Sequence, residues 1–233
     1  MKSLCAFFIT LLLAVTVSAA PTEVEITSEP SHHLALQNQY VRVFQVEVAP
    51  RASTLMHRHR HDYVFVTLGP SEVSNEVAGK PAVTLKLHDG EVRAVDGNFA
   101  HIARNLASAP FRNVTIELLQ DEKARTSPPP KWDDDHSLQV LSRGTQQILF
   151  VKDGVRVSEF ELQVAGSMPK HHHDHPHLVI ALNDFIFRND VVGKGASNVE
   201  MKPGDIKWIE AGLTHGLTNV GTSEAKFVTL EFQ

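Results

Sequence analysis

Six histidines carry the chemistry this sequence offers. His57 and His59 form a His-x-His pair, and His171 and His173 form a second pair 114 positions later. Each pair has a companion further along the chain, His101 and His215, and these two are also 114 apart. An extended strand sends alternate side chains to one face, so both imidazoles of a pair point the same way. Two imidazoles on one face, joined by a third from a distant strand, supply half of an octahedral shell or most of a tetrahedral one. Neutral imidazole suits Zn, Cu, Fe and Ni. A single His-x-His says little. Two copies with matched third members indicate a duplicated metal-site module.

The offset extends beyond histidine. Val41-Arg42-Val43 recurs as Val155-Arg156-Val157, and Val114-Thr115-Ile116-Glu117-Leu118 matches Val228-Thr229-Leu230-Glu231-Phe232. Glu47 recurs as Glu161, Leu68 as Leu182, Gly90 as Gly204 and Asn105 as Asn219. A period this long is a duplicated domain, since solenoid repeats run roughly 20–50 residues. The elements that must position the histidines are strands. Val41 to Val48 and Val155 to Leu162 alternate apolar and polar residues. Tyr63 to Leu68, Ala82 to Leu87, Leu178 to Leu182 and Phe227 to Phe232 are rich in β-branched or aromatic residues. His88-Asp89-Gly90 and Lys152-Asp153-Gly154 carry turn signals. The fold class is all-β, with each half a sandwich or closed barrel of short strands.

The boundaries follow from composition. Lys2, the apolar run from Leu4 to Val17, and Val17-Ser18-Ala19 predict a signal peptide over residues 1–19, and hence export to the periplasm or beyond the cell. Cys5 is the only cysteine and would leave with that segment, so the mature chain has no disulfide. Residues 20–120 are the N-terminal domain, opening on an arm that runs to about residue 31. Pro128-Pro129-Pro130 and Asp133-Asp134-Asp135 mark 121–135 as a linker. Residues 136–233 form the C-terminal domain. The net charge is −5 and no basic block appears, which excludes a nucleic-acid footprint. No membrane association is expected after signal cleavage. A monomer or a homodimer fits a chain whose halves mimic two subunits.

Two further segments resemble the second motif of the cupin superfamily. Gly90, Asp96, Asn98, His101 and Asn105 have its spacing, as do Gly204, Glu210, Gly212, His215 and Asn219, with the motif proline replaced in both halves. The resemblance covers both halves and implies a bicupin, with two tandem double-stranded β-helix (jelly-roll) barrels and a metal inside each barrel mouth. Where cupins commonly place a glutamate ligand, this chain has Tyr63 and His177. The glutamate is missing twice, which counts against an oxalate decarboxylase activity. By strand parity Tyr63 and His177 face inward. The first half then offers His57, His59 and His101 with Tyr63 nearby. The second offers His171, His173, His215 and His177, the last as a fourth ligand or an acid–base group. Asp62 and Asp174 are the nearest carboxylates, His61 and His175 a duplicated pair at the rim.

These residues imply a divalent transition metal (Fe, Mn, Zn, Ni or Cu) and a small-molecule substrate or ligand. Losing an anionic ligand leaves the site more cationic, which favours an anionic or enolisable substrate. The expected function is a dioxygenase-like or isomerase/lyase-like enzyme with its working metal in the C-terminal half. A non-catalytic metal- or ligand-binding module is the alternative.

Overall fold

The computed structural model describes residues 22–119 and 141–233. The expected signal peptide and the Pro/Asp-rich linker lie outside the described residues. No helix among the described residues is long and apolar enough to cross a membrane.

The first half contains β1 (Val24–Glu25), a 3-10 turn (Ile26–Ser28), β2 (His32–Gln37), β3 (Val41–Val48), β4 (His57–His59) and β5 (Tyr63–Thr67). It continues with β6 (Ser71–Val77), β7 (Val83–Leu87), β8 (Val92–Val95), β9 (Phe99–Asn105) and β10 (Phe111–Leu118). These strands make two five-stranded sheets, ordered β1-β4-β9-β6-β7 and β2-β3-β10-β5-β8. Both faces of β3 are used: Phe44, Val46 and Val48 alternate with exposed Gln45 and Glu47 and enter the core of this half, while Val41 and Val43, of opposite parity, are buried in a second cluster. The inward faces pack Phe44, Val46, Val73, Leu87 and Phe111 into the core of this half.

The second half contains β11 (Ser142–Lys152), β12 (Val155–His172), β13 (His177–Ala181), β14 (Phe185–Val191), β15 (Gly195–Met201), β16 (Ile206–Ile209), β17 (Thr214–Asn219) and β18 (Ala225–Phe232). All eight belong to one sheet, because β12 pairs with β18 along its first part and with β17 along its last. In the first half the same stretch is broken into β3 and β4. Pro50 removes a ladder donor there, and Arg51 turns the backbone to φ 62°. Ala165, the residue at the repeat position of Arg51, has φ 61°. β12 therefore kinks where the first half breaks. The turn joining β11 to β12 places Asp153 and Gly154 at φ 52° and 78°, the left-handed pair that a tight two-residue hairpin needs.

The halves meet through the strands that repeat. Val41, Val43, Val114 and Ile116 share one core cluster with Val155, Val157, Val228 and Leu230. Gly90 and Gly204 bring backbone into this contact. A Cβ on Gly204 would lie 2.8 Å from Leu68 Cδ1, and one on Gly90 would lie 3.1 Å from Leu182 Cδ1. Each glycine receives a leucine of the other half, so the repeated Leu and Gly positions form one reciprocal contact.

Candidate metal centres

The C-terminal site lies where the end of β12 meets β17, with His171 in register with His215. The Nε2 atoms of His171 and His173 are 2.9 Å apart, and those of His173 and His215 are 3.0 Å apart. Metal–imidazole bonds of about 2.0–2.1 Å put adjacent nitrogens of an octahedral face about 3 Å apart, so this spacing fits one ion. Two of the three outer nitrogens are occupied. His171 Nδ1 donates to the Pro169 carbonyl at 2.7 Å, and His215 Nδ1 donates to Asn189 Oδ1 at 2.8 Å. That fixes the tautomers so that the Nε2 lone pairs converge. Burial pushes His215 down to about 4, with the neighbouring His171 adding to the shift, and it lowers His171 and His173 as well. All three are neutral at pH 7. Lone pairs this close repel one another unless a cation lies among them, so the donor set fits a metal.

The N-terminal site repeats the plan on β4 and β9, with His57 in register with His101. Their Nε2 atoms are 3.1 Å apart. His57 Nδ1 donates to the Leu55 carbonyl at 2.9 Å, and His101 Nδ1 donates to Asn75 Oδ1 at 2.5 Å. His59 Nδ1 faces Glu117 Oε1 at 3.8 Å, and both atoms are buried without a hydrogen bond. Burial pushes His57 down to about 4 and His101 to about 3, and it raises Glu117 to about 7. This site is the more enclosed: His57 and His59 are 1% and 2% exposed, whereas His171 and His173 are half-buried.

The structure gathers the ligand nitrogens of the second triad within 4.8 Å, and in the first half it sets His101 Nε2 against His57 with its ring 5.1 Å from that of His59. It treats Tyr63 and His177 alike. Tyr63 stacks on His59 with ring centroids 4.2 Å apart, and His177 stacks on His173 at 4.1 Å. His177 lines the same pocket as the second triad, while the three nitrogens that gather there are those of His171, His173 and His215. Burial holds the Tyr63 phenol above its usual range and pushes His177 down to about 4. A fourth imidazole also stands beside the triad of the first half, where three were expected. It is His32 on β2, whose ligand nitrogen lies within 4.8 Å of those of His57 and His59. His32 has no repeat partner, because Gln146 occupies that position.

The structure corrects other readings. Asp62 does not reach the place of the missing glutamate. It pairs with Lys152 Nζ at 2.8 Å and accepts from the Gly97 amide at 2.7 Å. Arg42 and Arg156 pair with Glu117 at 3.0 Å and Glu231 at 2.5 Å. Arg58 and Arg60 bond Glu23 and Glu25 and clamp the N-terminal arm onto β4. His172 and Asp174 face out as parity requires, 3.5 Å apart. Asn98 takes φ 61° where the other half uses Gly212, which explains that departure from the motif, since Asn tolerates the left-handed region. Sequence reasoning missed Asn75 and Asn189. Their signal was available, since both lie 26 residues before a third histidine.

No family model matches the sequence, and no curated protein matches it. Solved structures do. A Cupin 2 conserved barrel domain protein from Leptotrichia buccalis aligns with a TM-score of 0.54 at 12% identity, over 87% of this chain and 88% of its own. The fold is that of the cupins. The oxalate decarboxylase of a substrate-binding study aligns at 0.59 and 10% identity, over 83% and 69% of the two chains. Salicylate 1,2-dioxygenase from Pseudoaminobacter salicylatoxidans aligns at 0.56 and 10%, over 83% and 68%. In the cupin fold of this chain, each histidine triad sits inside its half, among residues that line a pocket there.

Proposed function

We propose that the protein is an exported bicupin metalloenzyme acting on a small anionic or enolisable molecule, with its working metal held by His171, His173 and His215. One observation carries this reading: three neutral Nε2 atoms, those of His171 and His173 on half-buried residues, converge on an apolar-lined pocket. Val179, Phe187, Met201 and Leu217 line that pocket and exclude water from the reacting groups. Lys207 lines it too and attracts an anion. A divalent ion bound there supplies Lewis-acid polarisation of an oxygen ligand without cancelling its own charge, since no carboxylate joins the triad. His177, stacked on His173, is placed to take or return a proton at the substrate. The structural relatives include an oxalate decarboxylase of Bacillus subtilis described with Mn(II) centres and a dioxygenase adduct with gentisate, so acids of this size are the first substrates to screen. Export rests on residues 1–19 of the sequence.

The test is elemental analysis of untagged protein beside a His171→Ala/His215→Ala variant, with an oxygen-uptake and decarboxylation screen on small carboxylic acids. The expected result is one equivalent of metal lost and turnover abolished in the variant. Equal metal content in the two proteins overturns the reading. The enclosed N-terminal triad supports a second, non-catalytic role for that half, in which metal is held and not offered to substrate.

A further inference from the structure

We propose that the N-terminal half holds a four-histidine metal centre in which His32 is the fourth ligand and Glu29 locks it in place. This rests on the metal-binding part of the proposed function and is independent of which half is catalytic. His32 lies outside both histidine motifs, on the strand that follows the N-terminal arm. Its side chain is 5% exposed and its ring centroid is 4.7 Å from that of His57. The ligand nitrogens of His32, His57 and His59 lie within 4.8 Å of one another. Opposite ligands of an octahedral ion at about 2.1 Å are about 4.2 Å apart, so this spread closes on one ion with little movement.

The supporting groups argue for ligation more than proximity does. His32 Nδ1 bonds Glu29 Oε2 at 2.6 Å, which leaves Nε2 for the interior. Glu29 is 3% exposed and also accepts from the Ser31 amide at 2.9 Å and the Leu55 amide at 3.2 Å. Leu55 in turn accepts from His57 Nδ1. One hydrogen-bonded frame therefore runs from Glu29 to both His32 and His57. Three of the four imidazoles have an acceptor at the outer nitrogen, Glu29 for His32, the Leu55 carbonyl for His57 and Asn75 for His101, while His59 Nδ1 faces Glu117 at 3.8 Å without a hydrogen bond. Metal-ligating imidazoles are oriented this way by carboxylates and carbonyls. The Glu29 carboxylate stands behind the His32 ring and offsets part of the charge of a divalent ion. The second half lacks the device, with Gln146 and Arg143 at the positions of His32 and Glu29. Four ligands and near-complete burial make the N-terminal centre a holding site, while three ligands, with His171 and His173 only half-buried, leave the other free to take substrate.

The experiment uses the full chain carrying His171→Ala and His215→Ala, so that only the N-terminal site binds and failure at the other site cannot be confused with failure here. Zn²⁺ affinity is measured by chelator competition, and Co²⁺ absorption reports the ligand field. His32→Gln, which installs the residue of the other half, is expected to weaken Zn²⁺ binding about 100-fold or more and shift the Co²⁺ bands. Glu29→Gln keeps the ring but loses the carboxylate, and is expected to weaken binding about 10- to 100-fold. Affinity within about threefold of the parent in His32→Gln, with an unchanged Co²⁺ spectrum, overturns the proposal and leaves Glu29–His32 a structural pair. Pulsed EPR of the Cu²⁺-loaded parent needs no further variant: coupling to four imidazoles supports the proposal, and coupling to three overturns it.

Discussion

A histidine becomes a ligand when its outer nitrogen is spoken for. In both triads the Nδ1 partners repeat, with Leu55 and Pro169 as carbonyls and Asn75 and Asn189 as amides. The residue with two open roles is His177. Its ring lies flat against His173, so it reaches the substrate side of the pocket without joining the three converging nitrogens. His177→Ala is therefore expected to keep its metal and lose turnover by about 10²- to 10⁴-fold, the usual worth of a general acid–base group. Metal analysis and kcat on the substrate found by screening check this, and loss of metal with activity would make His177 a ligand instead. The triads were legible in the sequence because strand parity and one constant offset name the same six residues. His32 was not legible. It stands alone in the repeat, and its approach to His57 depends on pairing between β2 and β3 that no local pattern encodes.

At the level of elements, alternation located the central strands well and the edges poorly. β3, β5 and β13 begin within a residue of the segments that predicted them, by alternation for β3 and by β-branched and aromatic content for β5 and β13. The N-terminal arm read as a tail because two residues of β1 carry no periodic signal. Its docking comes instead from Glu23 and Glu25 meeting Arg58 and Arg60 across a parallel pairing. β12 extends to His172, past the segment that alternates, because its kink at Ala165 lets one strand serve both faces of the half. That kink holds an alanine in the left-handed region, which costs a residue with a Cβ about 1–2 kcal/mol. Ala165→Gly removes most of this and is expected to raise Tm by about 2–4 °C for a chain of this size. Calorimetry of the two proteins decides it, and an unchanged or lower Tm would show that the rigidity of alanine in the unfolded chain matters more.

The whole molecule is built around a contact that the repeat makes twice. Each half presents a leucine to a glycine of the other, and the repeated valine strands close over both pairs. In the sequence, Leu68/Leu182 and Gly90/Gly204 were visible only as matched letters. Their meaning is reciprocal packing between halves, the same logic by which a two-fold dimer buries one patch against its copy. Gly204→Ala puts a methyl 2.8 Å from Leu68 Cδ1 at a residue with φ 87°. Left-handed strain of about 1–2 kcal/mol adds to an overpacking cost of about 1–3 kcal/mol. Leu68→Ala alone opens a small void. Combined, the two changes remove the clash, so the double variant is expected to be more stable than the sum of the singles by about 0.5–3 kcal/mol. Denaturant unfolding of the four proteins measures that coupling. Because one apolar cluster spans both halves, each protein is also expected to unfold in a single transition. Strict additivity, or two separate transitions in the parent, would mean that the halves fold side by side and not as one body.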